Sequence, residues 1–242
     1  MNIELYLTAL PFADANLEGK TVVVIDVLRF STSVCAALMA GAKGVIPTGE
    51  SGEAAELRAK LGSDTTVLAG ERRGVRIDDF DLGNSPAEFT ESSVGGKFVV
   101  MTTTNGSAMF KKTSKASLVL TGGLVNASKI VEKLKKDSKD LVIACSGHKG
   151  NFSIEDTLCG GLLIGRLFSN GNSGHRLNDA ASMALQLYQN NSDSLYETIE
   201  KGEHARFLSG IGFKDDIYSA TEIDSMPIRP VLNDGRLIAD EN

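Results

Sequence analysis

Six apolar runs rich in β-branched residues punctuate the first part of the chain, at residues 21–27, 45–47, 66–69, 98–102, 117–121 and 141–145. Between and after them, residues 33–42, 51–61, 107–112, 124–136 and 155–168 show helical spacing or strong helix formers. The runs are continuously apolar rather than alternating, which predicts strands buried on both faces of a mostly parallel sheet. The opening MNIELYLTAL predicts a further strand. Beyond residue 178 the pattern turns helical, over 178–189, 194–201, 204–210 and about 215–220. Two short apolar runs, 228–231 and 236–238, then flank Asn233-Asp234-Gly235, a turn sequence that predicts a β-hairpin. The fold class is therefore α/β, a mostly parallel sheet with helices on both faces and a C-terminal β-hairpin.

An internal repeat refines this picture. VVVIDVLRFSTSVCAALMAG (22–41) is similar to LVIACSGHKGNFSIEDTLCGGLLIG (141–165): strand, polar loop, Phe-Ser, then a helix carrying Cys-small-small-Leu. Duplication would bring two equivalent loops together at the carboxyl ends of strands, where open α/β sheets place ligands. One domain over 1–242 is expected, with two similar lobes at about 1–125 and 126–242 as the alternative.

Composition narrows the function. No segment approaches the roughly 20 apolar residues that span a bilayer, and the acidic start does not resemble a signal peptide. Cys35, Cys145 and Cys159, an odd number in apolar surroundings, predict packing thiols in a reducing cytoplasm. The net charge of −6 and the scattered Lys and Arg carry no nucleic-acid footprint, so a small-molecule partner is expected.

Four loops hold candidate chemistry. DVLRFSTS (26–33) leaves an apolar strand and enters a helix. Asp26 sits at the strand's carboxyl end, Ser31 and Thr32 offer hydroxyls near a helix start, and Arg29 offers a fork for an oxyanion. A plain helix cap with a solvated Arg29 is the alternative. TTTNGSA (102–108) presents Thr103, Thr104, Asn105 and Gly106, suited to an oxyanion or to an ordinary Asn-Gly turn. In CSGHKGNFSIED (145–156), Glu155 and Asp156 stand in the first turn of a helix, where acids favour the dipole, and His148 reads as an exposed loop residue. The fourth, GERRGVRIDDFDLGNSPAEF (70–89), has no apolar period and reads as a loop. It mixes Arg72, Arg73 and Arg76 with Glu71, Asp78, Asp79, Asp81 and Glu88, a density of both signs that suits a cation beside an anion. Oxygen ligands with few histidines favour Mg²⁺ over Zn²⁺, and Mg²⁺ takes only one or two such carboxylates.

Several chemistries are excluded. The chain has no Walker G-x-x-x-x-G-K-[ST], no G-x-G-x-x-G after a strand and no G-x-S-x-G. Leu28 stands where an aspartyl phosphatase carries its second Asp, and no cysteine has an arginine six positions on. Metal-assisted attack of water on phosphorus is the simplest chemistry left.

VVVIDVLRFST, GERRGVRIDDFDLGNSPAEF, TTNGSA, CSGHKGNFSIEDTLCGG and PVLNDGRLI, taken in order along nearly the whole chain, resemble the 2-phosphosulfolactate phosphatases of the ComB family. Asp79 and Ser146 depart mildly from that pattern, which has Gly and more often Ala there. The resemblance implies an α/β fold peculiar to the family and Mg²⁺-dependent hydrolysis of 2-phospho-3-sulfolactate to 3-sulfolactate and phosphate, a step in coenzyme M biosynthesis. It implies that Asp26, Glu71, Asp81, Glu155 and Asp156 include Mg²⁺ ligands and a base for water, with Asp26, Arg29, Glu71 and Asp81 catalytic. Arg29, Ser31, Thr32, Arg72, Arg73, Asn84 and the Thr103, Thr104, Asn105, Gly106 loop would hold the substrate's anions. Another phosphorylated hydroxy acid as substrate, a phosphoenzyme on Asp26, and a non-catalytic phosphate-ester binder stay open. The late helices would cap the site, form a homodimer interface or cover the sheet.

Overall fold

A computed structural model describes residues 1–12, 15–137, 139–169 and 174–240. The strands are β1 (Asn2–Tyr6), β2 (Thr21–Ile25), β3 (Gly44–Thr48), β4 (Thr66–Arg72), β5 (Val75–Arg76), β6 (Phe98–Thr102), β7 (Leu118–Gly122), β8 (Leu141–Cys145), β9 (Arg176–Leu177), β10 (Pro230–Asn233) and β11 (Arg236–Ala239). The helices are α1 (Ala9–Phe12), α2 (Phe30–Met39), α3 (Ser51–Leu61), α4 (Glu91–Val94), α5 (Ala127–Lys136), α6 (Ile154–Phe168), α7 (Asp179–Asn191), α8 (Leu195–Glu200), α9 (Glu203–Gly210) and α10 (Lys214–Thr221). One sheet runs in the order β5-β4-β6-β3-β11-β10-β7-β2-β8-β1-β9. Its pairings are parallel except around the C-terminal hairpin and at β5.

The continuously apolar runs owe their composition to burial on both sides. In β2, Val23 and Ile25 enter one core while Val22 and Val24 enter the other. In β8, Leu141, Ile143 and Cys145 join the first core, and Val142 and Ala144 the second. The repeated units lie side by side, Thr21 level with Leu141 and Ile25 with Cys145. Their helices nevertheless cover opposite faces: Val34 and Leu38 of α2 pack in the second core, Leu158 and Leu162 of α6 in the first. Adjacent parallel strands whose helices depart to opposite faces leave a crevice at their carboxyl ends, the place where open α/β sheets bind ligands.

Several boundaries differ from the sequence reading. α2 begins at Phe30, three residues before the expected start, with no side-chain cap. Residues 107–113 form a 3-10 helix rather than an α-helix. The GERRGVR stretch is no irregular loop. β4 continues to Arg72 and turns into β5, pairing Glu71 with Arg76 and Arg72 with Val75. Arg73 (φ 54°) and Gly74 (φ 78°) occupy the tip, the paired positive φ of a tight hairpin turn. The C-terminal hairpin forms as expected, with Asp234 and Gly235 at its turn, and it lies between β7 and β3. All three cysteines are buried and unpaired. Among the described residues no helix is long and apolar enough to cross a membrane.

Candidate active site

Loops leaving β2, β4, β6 and β8 converge on one cavity of about 440 Å³. Asp26, Leu28 and Arg29 enter it from the β2–α2 loop, Glu71, Arg73 and Gly74 from the β4–β5 turn, and Thr103, Thr104 and Asn105 from the loop after β6. Asn84, His148 and Lys149 add further sides, and His204, Phe207 and Leu208 of α9 close it. Of the late helices, α9 thus roofs the crevice.

Asp26 is buried at the end of β2 and accepts the Phe30 backbone N–H at the start of α2. Burial raises its carboxyl from 3.8 to about 6; His204 and that N–H pull it down, while Glu71 and Glu155 push it up. Gly106 makes room for it, since a Cβ there would stand 2.4 Å from Asp26 Oδ2.

The other acids of the expected set are already committed. Glu71 accepts from the Gly74 N–H (2.7 Å), the Thr104 N–H (2.7 Å) and the Thr104 hydroxyl (3.1 Å), fastening the hairpin turn to the loop after β6. Asp156 accepts from Val27 N–H (2.8 Å), Ser146 Oγ (3.1 Å) and Gly147 N–H (3.1 Å), bracing the two repeated loops against each other. Burial and the charges of Glu155 and Asp26 hold it well above the ordinary carboxylate range. Glu155, almost fully buried, pairs with His204 Nδ1 at 2.9 Å. Asp81 lies outside the cavity, joined to Arg58 at 2.9 Å and to the Leu68 N–H. Four of these carboxylates are close enough to shift one another, but of the five only Asp26 and Glu71 line the cavity, and Asp81 stands apart. Among the described residues no three His, Cys, Asp or Glu side chains form a group that could hold a metal ion. A Mg²⁺ cage built from protein carboxylates therefore does not fit; Asp26 alone faces the cavity without a side-chain partner.

The expected anion-binding residues divide similarly. Arg29 is buried, with Nη1 on Asp216 (2.7 Å), Nη2 on the Gly74 carbonyl (2.8 Å) and its guanidinium 4.1 Å from the Phe213 ring centre. Ser85 Oγ donates to the same Asp216, at 2.6 Å. Arg29 is thus a buried clasp between loop, turn and α10 that also lines the cavity. Ser31 Oγ accepts the Asp26 N–H, and Thr32 Oγ1 donates to the Val27 carbonyl, so both hydroxyls shape the loop. Arg72 turns away onto Thr102 Oγ1 and the Glu71 and Gly49 carbonyls. Arg73, exposed at the hairpin tip, does face the cavity, as do Asn84, whose buried Oδ1 has no partner, and Thr103, Thr104 and Asn105.

Three residues to which the sequence assigned no chemistry stand out, His148, His204 and Lys149. His148, expected to be exposed, is buried and stacks on His204, ring centres 4.0 Å apart, with neither ring nitrogen hydrogen-bonded among the described residues. Burial, then the charges of His204 and Lys149, lower it to about 4. Lys149 adds a cation 5.0 Å from the Phe207 ring centre. No local spacing joins residues 148 and 204; α9 brings His204 onto Glu155 at the start of α6 and onto His148 in the loop before it.

The family model described as 2-phosphosulpholactate phosphatase matches residues 8–235. A probable 2-phosphosulfolactate phosphatase from Caldanaerobacter subterraneus subsp. tengcongensis is 38% identical over 235 residues, 97% of each chain. One of the same name from Clostridium novyi is 36% identical over 230 residues, 95% of this chain and 96% of the relative. Another, from Clostridium beijerinckii, is 33% identical over 237 residues, 98% and 99% respectively.

Proposed function

The chain belongs to the 2-phosphosulfolactate phosphatase family and is a phosphoric monoester hydrolase; from that premise we propose that its substrate is 2-phospho-3-sulfolactate, hydrolysed to 3-sulfolactate and phosphate in the step that coenzyme M biosynthesis requires. The observation that carries this is Asp26: a buried carboxylate without a side-chain partner, at the switch point of the sheet, in a cavity that also presents Arg73 and Lys149.

Such a substrate carries three anionic groups. Arg73 and Lys149 would hold sulfonate and carboxylate, each charge-assisted contact contributing roughly 1.5–3 kcal/mol. Asn84 and the Thr103–Asn105 backbone would orient the phosphoryl group beside Asp26. The raised basicity of Asp26 suits it to take a proton from the attacking water. Mg²⁺ is part of the proposal as a counter-ion that would travel with the substrate, because Asp26 acts as the base and Glu71, the other carboxylate lining the cavity, already accepts three hydrogen bonds. It would supply charge neutralisation at the phosphoryl oxygens.

The test is phosphate release from synthetic 2-phospho-3-sulfolactate and from 2-phospholactate, with Mg²⁺ and with EDTA. Release that needs Mg²⁺ and strongly favours the sulfonated ester is the expected outcome. Equal release from both esters would remove the sulfonate from the proposal, and release undiminished by EDTA would remove the metal.

A further inference from the structure

A hydrolysis that begins with a base needs a proton for the oxygen that leaves. The cavity wall facing Asp26 holds a second ionisable assembly, in which Glu155, His204 and His148 are packed in series. Glu155 stands in the first turn of α6, 1% exposed, and its Oε1 meets His204 Nδ1 at 2.9 Å. Gly202, capping α9, allows the approach, for a Cβ there would stand 2.8 Å from Ile154 Cγ2 and 2.9 Å from the Ile199 carbonyl oxygen. A carboxylate on Nδ1 fixes the ring's orientation and leaves Nε2 as the working nitrogen. Among the described residues Nε2 has no protein hydrogen bond, and the ring lines the same cavity as Asp26.

Resting on the phosphatase reading above, we propose that His204, positioned by Glu155, is the general acid that protonates the leaving alkoxide oxygen. The steps balance. Asp26 takes a proton from water as the water oxygen bonds to phosphorus. The bond between phosphorus and the ester oxygen breaks, its electron pair stays on that oxygen, and the His204 Nε2 proton moves there. The proton on Asp26 then returns to solvent and His204 regains one, so no net proton is consumed by the protein. His148 is not the acid: buried, flanked by Lys149 and by His204 itself, it is neutral across the working range. Its ring instead stacks on that of His204 at 4.0 Å, covering one face of the imidazole.

Leaving-group dependence tests the role. An alkyl ester expels a strongly basic alkoxide that needs the proton, whereas para-nitrophenyl phosphate expels a weakly basic phenoxide that does not. His204→Gln should lose roughly 100-fold or more in kcat on the alkyl ester but only a few-fold on the aryl ester, measured on one preparation. Glu155→Gln, which keeps the shape and removes the charge, should show the same bias at smaller amplitude. Equal losses on the two esters in both variants overturn the assignment, as does full alkyl-ester activity in His204→Gln. The outcome is separable from the choice of substrate. If the wild type ignores the sulfonated ester but hydrolyses 2-phospholactate, the substrate proposal fails and the comparison proceeds on 2-phospholactate. A wild type inactive on every ester overturns both.

Discussion

Asp26 was legible as a functional candidate because a carboxylate ending a buried apolar strand has no structural reason to be there. The structure adds what its burial means. A carboxyl at 3.8 in the unfolded chain and about 6 in the native one binds, between those values, a proton that only the folded state keeps. Stability therefore falls as pH rises through that window and levels off above it. Ionised Asp26 costs on the order of 2–3 kcal/mol at neutral pH, from about 1.4 kcal/mol per pKa unit. Asp26→Asn should thus raise the melting temperature at pH 7–8, with the gain fading as pH drops toward about 4. The same variant should lose at least about 100-fold in turnover, and in the wild type kcat/KM should climb with pH through about 6. A variant melting no higher than the wild type at pH 8 would mean that Asp26 is not the desolvated group described. The histidines were not legible on such grounds, since their relation lies in a tertiary contact between α9 and the loop before α6. Nor was the commitment of Glu71 and Asp156, because each also satisfies an N–H from a loop far along the chain, Thr104 for Glu71 and Val27 for Asp156.

At the scale of elements, the charged stretch 70–89 explains itself by its turn. Arg73 and Gly74 form a hairpin tip that the sequence hid, since β5 is only two residues long, too short to show a period. Arg29, the conspicuous fork of the first loop, fixes that tip while also lining the cavity. Its ion pair with Asp216 leaves the two side chains 2% and 7% exposed, and removing one partner strands the other charge in a buried site. Arg29→Met alone should therefore destabilise by about 3–5 kcal/mol, while Arg29→Met combined with Asp216→Leu should recover much of that loss. Urea unfolding of the single and double variants checks this. A single variant as stable as the wild type, altered only in KM, would return Arg29 to the substrate. The repeat was readable in the residues and proved spatial, with β2 and β8 as neighbours, yet the placing of α2 and α6 on opposite faces had no trace in the pattern of either copy.

For the whole molecule, strand order is what the sequence could not provide, because parallel crossovers leave neighbours far apart in the chain. The consequence is sharpest at the C-terminal hairpin, which was foreseen as a local element and turned out to join the sheet. On one side β10 meets β7 at a single registered pair, Val231 with Leu120; on the other, β11 meets β3 at Leu237 with Val45. By contrast β2 and β7, or β3 and β6, share five registered pairs each. The strands carrying the β2 and β8 loops lie on one side of this joint, and those carrying the β4 and β6 loops lie on the other. Leu237, fully buried in the second core, is the side chain that pins the joint. Leu237→Ala should remove about 2–5 kcal/mol, and native-state hydrogen exchange should show β3 and β7 losing protection together with the hairpin. Protection lost in the hairpin alone, with β3 and β7 unchanged, would show that each half of the sheet stands without it. The two pairs of site-bearing loops would then owe their juxtaposition to the contacts of Arg29 and Glu71 instead.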